Sequence, residues 1–143
     1  MDSKRFAMAT LVGGVVLYAV GYLIFTMALG AFYAANGGSA TGVNRDEEII
    51  WAMAVANLAY AVLIAFAMGR RAPASIGEGA MIGAVVGFLI WCTVDFVLYG
   101  STNIANLTRT LVDPLLEIVH GGIAGAAMAA VLRPRPTAAR TPA

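Results

Sequence analysis

Four stretches of this chain are each long and apolar enough to cross a bilayer as a helix, and this limits the fold more than any other feature. They cover residues 6–31, 49–68, 79–99 and 110–132. A hydrocarbon core of about 30 Å needs roughly 20 helical residues. Only helices or closed barrels satisfy their backbone polar groups in lipid. The spacers GGSATGVNRDEE, RRAPASIGEG and GSTNIANLTR are built from turn and breaker residues. Composition agrees: 60% of the 143 residues are hydrophobic, 12% are charged, and the mean hydropathy is +0.81. Soluble domains carry about 25% charged residues. The expected fold is all-α, an integral membrane four-helix bundle forming one domain over residues 1–132. The first stretch begins with Lys4 and Arg5 as a signal peptide does, but its apolar run far exceeds the roughly 7–15 residues of a signal core. It reads as a retained span.

Basic residues set the direction. Lys4, Arg5, Arg70, Arg71, Arg133, Arg135 and Arg140 lie on one side of such a bundle, and only Arg45 and Arg109 on the other. This asymmetry places both termini in the cytoplasm. The tail over residues 133–143 is rich in Pro, Ala and Arg and is expected to be disordered. One Lys against eight Arg suggests a high-GC bacterial source, hence a multi-pass protein of the bacterial inner membrane. No basic stripe with interleaved aromatics suggests nucleic acid as a partner. The single cysteine, Cys92, lies inside a span and cannot form an internal disulfide.

Lipid tails give apolar helices no reason to associate, so small residues must let backbones approach. Gly79, Gly83 and Gly87 form such a row in the third span, and Gly121 and Gly125 another in the fourth. This glycine-zipper pattern serves contacts within the chain or between copies. The expected partners are therefore the bilayer and either a homo-oligomer or a larger membrane complex. In the first span Thr10, Gly14, Tyr18, Tyr22 and Thr26 recur every four residues, a ridge expected to face inward.

The fourth span holds Asp113, Glu117 and His120, three ionisable groups on one helix face. An acid at mid-helix costs about 2.5–3.5 kcal/mol to insert, whereas Leu, Ile, Phe or Val returns only about 0.3–0.6. The stripe should therefore face other helices. Asp95 in the third span and Asn57 in the second fall at similar depth. With Tyr18, Tyr22 and Trp91 they are expected to form a polar pocket in the outer half. Structural readings compete. Asp113-Pro114 suits a helix start, with Asp as N-cap and Pro at the first position; the alternative is an earlier start with a kink at Pro114. Glu47 and Glu48 suit the N-terminus of the second span. Asp95 and His120 could pair with each other. Trp51, Trp91, Tyr33 and Tyr99 near span ends suit interfacial anchors. Glu117 and His120 form a Glu-x-x-His pair that Asp95 and Asp113 could extend to a metal site, although di-iron bundles use two such pairs. The sequence does not say whether a cofactor or metal binds.

The stretch GFLIWCTVDFVLYGSTNIANL followed by TLVDPLLEIVHGG resembles the C-terminal half of small bacterial four-helix membrane proteins of unknown function. The resembling positions are Gly87, Asp95, Thr102, Asn103, Val112 and Asp113, about a third of the chain in extent; the Asp95-to-Thr102 spacing is longer here. The resemblance implies architecture and no chemistry. Three functions follow as expectations. The first is a pocket that binds or passes a small ligand, ion or proton. The second is an accessory subunit of a membrane complex, and the third a metal-dependent membrane enzyme.

Overall fold

The computed structural model describes residues 3–69 and 72–132. Arg70, Arg71 and the tail from residue 133, with its expected disorder, lie outside the described residues. Among those described, the chain is all-helical. Helix α1 covers Ser3–Gly21 and continues as a π-helical segment, Tyr22–Ala28. A short α2 follows at Gly30–Ala35, then α3 at Ile50–Met68, α4 at Ile76–Ser101 and α5 at Leu107–Leu132. Four of these segments are long and apolar enough to cross a membrane: Ser3–Ala28, Ile50–Met68, Ile76–Ser101 and Leu107–Leu132.

Three boundaries differ from expectation for local reasons. The first span changes to wider turns at Tyr22 and breaks at Leu29, whose N–H bonds the Ile24 carbonyl five residues back. α4 starts three residues early because Ser75-Ile-Gly-Glu78 acts as a cap. The Glu78 N–H donates to Ser75 Oγ at 3.0 Å, and the Glu78 carboxylate accepts from the Ala74 N–H at 2.5 Å. α5 also starts early, at Leu107, with the Asn106 side chain accepting from the Arg109 N–H at 2.9 Å. Asp113 is thus not the helix cap. It sits two turns inside, next to Pro114 within the helix.

α4 and α5 form the largest interface, and glycine makes it possible. A Cβ placed on Gly83 would collide with the Gly121 carbonyl, and one on Gly79 with Ala129 and the Gly125 carbonyl. The two backbones touch, and any side chain would part them. α1 packs on α5 and on α3. α3 meets the rest mainly through its second half, where Tyr60, Ala61, Ile64, Ala65 and Met68 are buried. Its first half exposes Trp51, Met53, Val55 and Leu58. At the far end the loops are stitched together. The Ala40 N–H donates to the Asn103 carbonyl at 3.0 Å, and the Asn106 amide donates to Asn36 Oδ1 at 3.1 Å.

Candidate functional site

The first half of α3 stands away from α4 and α5, and the space beneath it is an open cavity of about 670 Å³. That volume lies within the roughly 300–1,000 Å³ of small-molecule sites. Its walls come from the α1 and π segment, α3, α4 and α5. They are largely apolar, with Leu17, Met53, Ala56, Leu63 and Ile90 among them. Six aromatic side chains also line it: Tyr18, Tyr22, Phe25, Tyr33, Tyr60 and Trp91.

The polar stripe of α5 forms one wall. Asp113, Glu117 and His120 all line the cavity and are buried in the protein. Glu117 is only 1% exposed, so its charge has to be met locally. The Tyr60 hydroxyl donates to Glu117 Oε2 at 3.2 Å, and His120 Nδ1 lies 2.9 Å from the same oxygen. His120 Nε2 lies 2.9 Å from the Leu17 carbonyl. A carbonyl only accepts, so Nε2 carries a hydrogen. One further proton then sits between Nδ1 and Glu117, making either an ion pair or a neutral acid and imidazole. The imidazole is wedged edge-to-face against Phe25 and Tyr60, with ring centroids 5.4 and 6.0 Å away. Gly21 lets it come this close: a Cβ there would lie 3.2 Å from Nε2.

A second cluster lies one turn and more toward the loops. The Tyr33 hydroxyl donates to Asp113 Oδ1. Asp95 is buried close to Asp113, and its Oδ2 has no hydrogen-bond partner. The Arg109 guanidinium stacks over the Tyr33 ring, 5.2 Å from its centroid. Tyr33 lies beyond the spanning segment, and burial, followed by its bond to Asp113, pushes its hydroxyl well above the usual phenol range.

Seven of the eight expected pocket residues meet at the cavity: Tyr18, Tyr22, Asn57, Trp91, Asp113, Glu117 and His120. Asp95 is buried behind Asp113 and is not among the lining residues. Nor does it pair with His120, whose nitrogens are occupied by Glu117 and Leu17. Asn57 lines the wall, but its amide bonds the Met53 carbonyl of its own helix. The Trp91 indole N–H is buried without a partner. Of the first-span ridge expected to face inward, Thr10 and Gly14 are buried, whereas Tyr22 and Thr26 are exposed at the mouth of the cavity, where the helix changes to wider turns.

Five participants went unrecognised in the sequence, among them Phe25, which packs against His120. Tyr60 had a usable signal, since it shares a helix face with Asn57 three residues earlier. Tyr33, assigned to the interface, turns inward because the break at Leu29 redirects α2. Arg109 counted only as a loop charge, and Glu48, taken as a helix-end residue, lines the cavity. Among the described residues, no three His, Cys, Asp or Glu groups converge as metal ligands.

Compared with family models, with curated proteins and with solved structures, the chain gives no significant match. The resemblance to small bacterial membrane proteins therefore rests on its quoted residues alone.

Proposed function

We propose that this chain is a four-helix bundle of the bacterial inner membrane, with both termini cytoplasmic, that binds a small ligand in an ionisable pocket open toward the outer face. The orientation rests on the excess of basic residues on the terminal side. One observation carries the ligand reading: a Glu–His pair, buried and bonded to a tyrosine, forms part of the wall of an open cavity inside the spans. Scaffolding alone does not need this arrangement. Glycine packing already joins α4 to α5, and a buried carboxylate is costly wherever lipid is near.

The cavity can be tested through its tryptophan. In a Trp51→Phe background, Trp91 is the sole indole. A panel of small organic probes of differing charge is titrated into the protein in lipid nanodiscs. At least one should change Trp91 emission saturably, and Ala59→Phe, which fills the cavity from α3, should abolish that change. Only linear partitioning, equal in both proteins, would remove the ligand reading.

A further inference from the structure

The cavity combines two features that together define a ligand class. Its walls present six aromatic side chains, and its charges are unbalanced toward acid. Glu48, Asp113 and Glu117 line it, with Asp95 behind Asp113, against Arg109 and His120. Arg109 already stacks on Tyr33, so this wall accepts a cation over an aromatic face. Arg109 acts on Asp95 and on the Tyr33 ring, whereas Glu117 is met by the Tyr60 hydroxyl and the proton it shares with His120. An anion would meet three carboxylates, and the apolar walls suit a ligand with hydrocarbon or aryl substituents.

We propose that the cavity binds a lipophilic organic cation, an amine or onium ion with apolar substituents, in exchange for the proton held between Glu117 and His120. This inference rests on the ligand reading above and names its substrate class. The exchange conserves charge. The cation settles among the aromatic rings beside Glu117, the pair's proton leaves to water, and His120 remains neutral with its Nε2 hydrogen on the Leu17 carbonyl. The pocket carries the same net charge before and after, as a low-dielectric site requires. The other titratable and charged groups around the pair are Tyr18 and Tyr22 from the first span, Tyr33 from α2, Glu48 ahead of α3 and Tyr60 from α3. Asp95 comes from α4, and Arg109 and Asp113 from α5. Of these, Tyr60 contacts Glu117 directly, and a phenol donor accommodates either protonation state of the acid.

The test uses the full chain with Trp51→Phe in nanodiscs and three probes of similar bulk: tetraphenylphosphonium, tetraphenylborate and triphenylphosphine oxide. The cation is expected to bind saturably, and the other two at least tenfold more weakly. A pH dye in weak buffer should register about one proton released per cation bound. The dissociation constant should rise roughly tenfold for each unit of falling pH where the pair is protonated. Glu117→Gln should remove that pH dependence and weaken cation binding at least tenfold. The charge series on the Glu117 protein stands even where this variant fails to fold. Binding of the neutral or anionic probe as tight as that of the cation overturns the inference and leaves the ligand reading intact. Cation binding with neither proton release nor pH dependence also overturns it. No saturable binding by any of the three overturns the inference; the broader panel decides the ligand reading.

Discussion

The α4–α5 seam and the space beneath the first half of α3 sit side by side and are built by opposite means. At the seam, Gly79, Gly83, Gly121 and Gly125 remove side chains until backbone meets backbone. Across the cavity, aromatic rings and long aliphatic chains hold the helices apart. Further in, small and aliphatic residues close the gap again: Ala61, Ile64 and Ala65 of α3 pack with Ala9 and Leu17 of α1 and Met128 of α5. Without a hydrophobic drive between helices in lipid, residue size decides which faces touch. The seam therefore acts as the rigid element, and it holds the α5 stripe in place against the open side.

The strongest challenge to this contrast is Gly83→Leu. Its side chain would have to occupy the place of the Gly121 backbone, so α4 and α5 must separate. A loss of about 3 kcal/mol is expected from such overpacking, read by unfolding in mixed detergent. A change under about 0.5 kcal/mol would mean that the seam is not rigid. Tyr60→Phe attacks the junction between the two regions, because the Tyr60 hydroxyl lies over Gly87 and Gly121 on its way to Glu117. Losing that donor should cost about 1–2 kcal/mol. Gly87→Ala meets the same hydroxyl and also the Glu117 carbonyl, so the double variant should fall short of the two single losses added together by the share that the hydroxyl carries.

Tyr33→Phe sharpens the picture at the loop end, with an expected loss of about 1 kcal/mol at neutral pH. It also carries a pH signature. The folded protein holds this phenol protonated, whereas the unfolded chain ionises it at its ordinary value of about 10. The stabilisation is complete below that value and fades as pH rises above it. The variant should flatten the alkaline slope of stability, and an unchanged slope would remove Tyr33 from its assigned place. Trp51→Ala is the smallest effect. This side chain is 72% exposed on the outward face of α3, and a change within about 0.5 kcal/mol is expected.

Hydropathy alone located the four helices that are long and apolar enough to span a membrane to within a few residues, because apolar length is a property of the chain itself. The glycine spacing likewise marked the faces of α4 and α5 that meet. The cost of charge in lipid required Asp113, Glu117 and His120 to turn inward, and they do. Which partners they find was not legible. Asp113 looked like a helix cap because Asp-Pro is a strong local signal, but Asn106 captured the first turn of α5 instead. Tyr33 looked interfacial until the break at Leu29 folded α2 back over Asp113. Asp95 reached Asp113 and missed the cavity because helix rotation follows packing, and the tight glycine seam fixed that rotation. The sequence by itself determined which residues cannot face lipid. Only the tertiary structure decided which of them meet, since contact distances depend on how closely each pair of helices approaches and how each is turned.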